Sequence, residues 1–229
     1  MHVPRAARLS LLALVLLLAG CTSSTGPHPL TDDEAQRLSL ARFSMYDAGC
    51  VDLAMTVPID GQTLQLDGRA DLVAHEAYAG VTTNDSPPRH ALLQWTLTNK
   101  AIAETQDAGL PAQPPTTGWQ AAAMVPGDPL DNALLLTLNL GADRPENPLL
   151  LQQSPARWLR SDTVDGTDVD VFEVPASGGS RTVVRYWVDE DGTLHRVDAD
   201  TGRPNPLVID LHPSDDTDAI PLIEALRSK

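Results

Sequence analysis

The order of periodic segments predicts an α+β domain: one large antiparallel sheet with helices gathered on one face. Three observations carry this expectation. A capped segment with helical spacing opens the globular part. A strictly alternating stretch follows from Thr63 to Leu72. The last third is a series of short alternating segments joined by turns such as Asp165-Gly166, the pattern of a meander.

Thr31-Asp-Asp-Glu34 has the form of a capping box, and Ala35, Leu38, Ala41, Arg42 and Met45 follow at helical spacing. The spacing predicts a helix from about Asp32 to Asp47, closed near Gly49. Val51, Leu53, Met55 and Val57 then alternate with polar or small residues, and Asp60-Gly61 is a hairpin signal. Leu64, Leu66, Gly68, Ala70 and Leu72 share the next strand's apolar face. His75–Thr82 and Leu92–Thr98 read as further strands around the loop "NDSPPR", with "AIAETQ" extending or following them. Three prolines make 109–118 a loop. Trp119–Val125 is read as a short strand. Asp128-Pro129 and Asn147-Pro148 each pair a cap residue with proline at a first helical position. Strands are expected at Arg157–Val164, Val169–Val174, Arg181–Val188, Thr193–Ala199 and Leu207–Leu211. A short amphipathic helix or turn is expected from Ala219 to the end.

The N-terminus carries Arg5 and Arg8, then an apolar run from Leu9 to Ala19 broken only by Ser10. That is the layout of a secretory signal, and it is too short for a permanent span of about 20 apolar residues. Leu18-Ala19-Gly20-Cys21 resembles the lipobox of bacterial lipoproteins, which implies cleavage before Cys21 and a lipid on its sulfur. An ordinary signal peptide with a chance cysteine is the alternative. The resulting organisation is a signal peptide at 1–20, a flexible tether at 21–29 and a single domain at 30–229. With Cys21 lipidated, Cys50 has no disulfide partner and reads as a buried small hydrophobe.

The formal net charge is −15; without Arg5 and Arg8, 14 basic side chains face 31 acidic ones, a balance of −17. Such a surface disfavours nucleic acid and electrostatic attraction to anionic headgroups. Lysine is confined to Lys100 and Lys229 beside plentiful arginine, alanine and proline, as in translations of GC-rich genomes.

No catalytic constellation emerges, so an enzyme is not expected, nor a cofactor or metal. His75-Glu76 begins like HExxH, but Ala79 stands where the second histidine belongs, in a segment read as strand. The other histidines lack ligand spacing. Asp189-Glu-Asp-Gly192 and Asp198-Ala-Asp-Thr-Gly202 lack a twelve-residue calcium pattern and read as solvated turns.

Lipobox, tether, helix, paired strands and the late pattern Asp165-Gly166, Tyr186-Trp-Val-Asp189, Gly192-Thr-Leu194 and Val197 together resemble the actinobacterial lipoproteins of the LppX and LprG type, with the LolA and LolB carriers more distant. The resemblance covers about 31–212 in order of elements; the proline-rich loop 109–118 has no counterpart in it. It implies a curved half-barrel sheet wrapped around a few helices, with space between them for acyl chains. On that reading Leu64, Leu66, Leu72, Leu93, Trp95, Leu134, Leu138 and Trp187 are the candidate lining residues. The expected function is an extracytoplasmic, membrane-anchored protein that binds a lipid or other apolar ligand. The alternative is a ligand-free envelope protein that holds a protein partner.

Overall fold

The computed structural model describes residues 26–175, 183–216 and 218–227. The expected leader at 1–20 and Cys21 lie outside the described residues. The described chain forms an open sheet of twelve antiparallel strands with four short or medium helices. No helix among the described residues is long and apolar enough to cross a membrane.

In chain order, β1 is His28–Pro29, α1 Asp32–Ala48, β2 Cys50–Ile59, β3 Gln62–Asp71, β4 Glu76–Thr83, β5 His90–Thr96, β6 Asn99–Thr105 and β7 Gln120–Ala123. Then come α2 Pro129–Leu138, α3 Pro148–Gln153, β8 Arg157–Val164, β9 Thr167–Pro175, β10 Val183–Val188, β11 Leu194–Ala199, β12 Leu207–Pro213 and α4 Glu224–Arg227. The spatial order is β1-β8-β9-β10-β11-β12-β2-β3-β4-β5-β6-β7. Two meanders, β2–β7 and β8–β12, thus meet at a seam where β12 pairs with β2, Ile209 facing Met55 and Leu211 facing Leu53.

Local chemistry sets the element ends. The Thr31 amide donates to Glu34 Oε2 at 2.8 Å and the Glu34 amide to Thr31 Oγ1 at 3.4 Å, which closes the capping box of α1. Asp128 Oδ1 accepts from the Asp131 amide at 3.0 Å to start α2, with Pro129 in the first turn. Asp165 and Gly166 both have positive φ, 49° and 85°, the backbone a tight two-residue hairpin demands.

α1 and α2 lie on one face of the sheet, here the inner face. Leu38 and Met45 of α1 and Leu134 and Leu138 of α2 share one buried cluster with Leu53, Leu66, Leu72, Leu93, Phe172, Val197 and Ile209. Strands from both meanders therefore converge on the same helices. Arg37 Nη2 donates to Asp170 Oδ2 at 2.6 Å, tying α1 to β9. At the other meander, Lys100 of β6 pairs with the fully buried Asp131 of α2. Gly192, at φ 87°, lets the β10–β11 turn lie against α1, where an added Cβ would sit 2.8 Å from Leu40 Cβ.

The outer face carries two smaller clusters. Tyr78, Leu92 and Ala101 are covered by Ile220, Leu222 and Leu226 of the C-terminal segment. Gln94, wholly buried, fastens that segment: its Nε2 donates to the Pro221 carbonyl at 3.0 Å and its Oε1 accepts from the Ile223 amide at 2.9 Å. Burial among these residues pushes the Tyr78 phenol up to about 12. The other outer cluster joins Val164, Val169, Val171 and Trp187.

Three expectations are corrected. His28 and Pro29, placed in the tether, pair with Trp158 and Arg157 as an edge strand. His75 precedes β4 in a turn with φ 57°, and its Nδ1–H donates to the Leu138 carbonyl at 3.0 Å. The closing helix begins only at Glu224, since Pro221 removes an amide and the segment before it is spent covering the sheet.

Candidate functional site

The helices do not cover the whole inner face. At the end of the sheet that bears the β2–β3 and β11–β12 turns, a hollow of about 660 Å³ opens between α2 and the strands. Its floor is Val57 of β2, Val184 of β10, Ala199 of β11 and Leu207 of β12. These are cross-strand neighbours: Val184 faces Ala199, and Ala199 faces Leu207. Its roof is Ala133, Leu135 and Leu136 of α2. The rim is polar, with Asn132, Asn139, Thr201 and Arg203. Arg203 is the one charged side chain on this lining, and its Nη1 donates to Asp60 Oδ1 at 2.8 Å.

A second hollow, about 540 Å³, lies beside the first. Leu64, Val81 and Ala91 floor it, with Ile102 on its side and Arg89, His90 and Glu104 around it. Val57 of the first hollow and Leu64 of the second are direct cross-strand partners in β2 and β3, so the two hollows are floored by neighbouring strands. At this rim Asp85 binds Arg89 and Thr83, and those hydrogen bonds hold its carboxyl below the usual range.

Of the eight candidate lining residues, the structure brings seven into the central cluster: Leu64, Leu66, Leu72, Leu93, Trp95, Leu134 and Leu138. Leu64 borders the second hollow; the other six are at most 1% exposed, line neither of the two hollows and belong to the buried core. Trp187 is corrected outright. It lies on the opposite face, where its Nε1 donates to Asp162 Oδ2 at 3.0 Å and the Arg160 guanidinium sits 5.7 Å from its ring.

The residues that do border the first hollow carry a faint sequence signal. Leu134-Leu135-Leu136 makes α2 apolar over more than the stripe its packing needs, as on a helix with apolar neighbours on more than one side. Leu134 goes into the core, while Leu135 and Leu136 stay half-buried over the hollow. Val57 and Leu64 flank the Asp60-Gly61 turn symmetrically, which places both at the sheet's open end.

The chemistry of the hollow is aliphatic, with no nucleophile paired to a base. Among the described residues no three His, Cys, Asp or Glu side chains are grouped to hold a metal ion. His195 Nε2 meets Asp189 Oδ2 at 2.9 Å and its ring stands edge-on to that of His212, 6.4 Å between centroids, but this pair is on the outer β11–β12 surface and lines neither hollow. Cys50 is buried, and desolvation first, then nearby Asp71, raises its thiol above the ordinary value.

Comparison with protein-family models and with curated proteins finds no match to this sequence.

Proposed function

We propose that this chain is a membrane-anchored envelope lipoprotein of the LolA-like half-barrel kind, lipidated at Cys21, that holds the apolar part of a lipid for transport or presentation. The single observation that supports this reading is the 660 Å³ hollow between α2 and the inner face of the sheet. Its size falls within the range of about 300–1,000 Å³ common to small-molecule sites, and its walls are aliphatic. Each methylene moved from water into such a space gains about 0.8 kcal/mol, so a short run of acyl carbons suffices for binding. The mechanism is non-covalent burial, with no chemistry at the ligand. The second hollow, floored by the neighbouring strand β3, adds further apolar surface on the same face of the sheet.

The second reading, an envelope protein that binds a protein partner and carries no ligand, draws on the dense packing of Leu66, Leu72, Leu93 and Leu138 in the interior. One experiment separates the two. The leaderless Cys21→Ser chain is purified and its native mass recorded, then titrated with a fluorescent fatty acyl probe. Co-purifying lipid or saturable uptake supports the carrier. A clean apo mass with no saturable uptake sinks it in favour of the partner reading.

A further inference from the structure

α3 presents two large apolar side chains to solvent. Leu149 is 65% exposed and Leu150 63%, the highest values among the large hydrophobic residues described. Neighbouring Leu151 packs inward against the central cluster, so the helix has an inner anchor and an outer apolar edge. Val125 and Val73 are also exposed, at 56% and 49%, but Leu149 and Leu150 are adjacent, so together they form an apolar edge able to meet an apolar partner.

The position of α3 narrows what its outer edge can meet. Gln152 Nε2 donates to Asp32 Oδ1 at 2.6 Å, so α3 lies against the first turn of α1. Four residues after α3 ends, Arg157 and Trp158 pair with Pro29 and His28, the first strand of the domain. Glu146, just before α3, donates its amide to the Ser39 carbonyl at 2.9 Å, so Leu149 and Leu150 lie along the first half of α1, the end nearer the point where the chain enters. Cys21 stands seven residues before His28. Even fully extended, that length reaches only about 25 Å.

We propose that the Leu149–Leu150 edge of α3 is a membrane-docking face, seated in the bilayer that holds the anchor on Cys21. This rests on lipidation of Cys21 but not on any ligand in the hollow. The charge around the edge fits a neutral lipid surface better than an anionic one. Arg144, 87% exposed at the side chain, stands before α3, but Asp143 and Glu146 flank it, and Asp32, Asp33 and Glu34 open α1. Insertion therefore depends on the leucines. Docking also sets the domain's orientation. Pro29, Arg157, Glu173, Arg185 and Asp198 form one register row across the sheet, one residue from the row of Val184, Ala199 and Leu207 that floors the hollow. The face thus holds the hollow's end of the sheet toward the bilayer.

The test uses the full lipidated chain in phosphatidylcholine vesicles containing nitroxide-labelled lipid. An environment-sensitive dye is placed on Leu149→Cys and, as a control, on Thr163→Cys in the exposed β8–β9 hairpin; Cys50 is buried and Cys21 acylated. The acyl mass on the Cys21 peptide is recorded for each sample. The expected result is a blue shift and several-fold stronger quenching at 149 than at 163, abolished by adding Leu150→Asp. Equal quenching at the two sites, with Cys21 acylated, overturns the proposal. So does shielding at 149 without lipid quenching, which assigns the edge to a second copy or a protein partner. An unacylated Cys21 removes the anchor and the docking geometry with it.

Discussion

Trp95 of β5 donates its indole N–H to the main-chain carbonyl of Leu134 in α2 at 3.1 Å, across the buried interior. Both side chains are fully buried, so the bond pins α2 to the sheet within the core, away from the hollow's lining. Trp95→Phe removes the bond and keeps most of the volume, at a cost of about 1 kcal/mol. Trp95→Ala costs about 3–5 kcal/mol. Urea unfolding measures both. The folded Trp95→Phe protein is expected to take up the acyl probe as before, because Trp95 does not border the hollow.

Leu136 is the contrasting position, half-buried and on the roof of the hollow. Leu136→Asp puts a carboxylate into the aliphatic space while leaving the core stripe of α2 intact. Probe affinity is expected to fall at least about tenfold, the equivalent of roughly two lost methylene contacts. The urea midpoint is expected to stay close to that of the parent. Unchanged affinity would place the bound chain elsewhere.

Lys100 and Asp131 form the tie between β6 and α2, and the carboxylate also accepts from the Val125 amide at 2.8 Å. Lys100→Met leaves Asp131 charged and buried, and the expected loss is about 3 kcal/mol or more. The double change Lys100→Met with Asp131→Leu removes the stranded charge and is expected to recover part of that loss. Urea midpoints for the parent, both single variants and the double variant give the coupling directly.

Asp170 sets an acid-sensitive contact between α1 and β9. Burial pushes its carboxyl up, but hydrogen bonds from Trp158 at 2.8 Å, Arg37 at 2.6 Å and Ser161 at 2.9 Å outweigh that and hold it below the usual range. A carboxyl lowered in the folded state adds stability that is fully present above the unfolded value, about 3.9, and is lost as pH falls through the folded value. Asp189, lowered by its bonds to His195 and Thr193 against burial, acts in the same direction. Asp198, raised by burial, acts in the opposite one. Asp170→Asn is expected to destabilise at pH 7 and to flatten the acid limb of a midpoint-against-pH curve. A limb of unchanged slope would remove Asp170 from the account.

Gly68 of β3 has no room for a side chain. A Cβ there would lie 2.2 Å from the Tyr78 carbonyl oxygen and 2.7 Å from Ala79 Cβ. Gly68→Ala forces β3 and β4 apart in the middle of the sheet and is expected to cost about 1–3 kcal/mol, read as a drop in melting temperature.

Most elements were legible because their signals are local. The Thr31–Glu34 box, the alternation of Leu64 to Leu72 and the Asp165-Gly166 turn each act over a few residues. Which face of a strand turns inward is less local. Val184, Tyr186 and Val188 of β10 face the central cluster, yet Trp187 between them is also buried, under Val164, Val169 and Val171. A strand apolar on both faces gives no parity from its own sequence. The hollow was the least legible feature. It is set by where α2 ends relative to four strands, and six of the leucine and tryptophan side chains expected to line it fill the neighbouring core instead.

The seam between β12 and β2 joins residues 208–213 to residues 51–56, nearly the two extremes of the domain. Within the described sheet the two meanders are joined only by this pairing, so the last strand in the chain is the one that closes the sheet. Contacts this far apart in sequence carry a large loop-closure entropy, so the joint is expected to form late in folding.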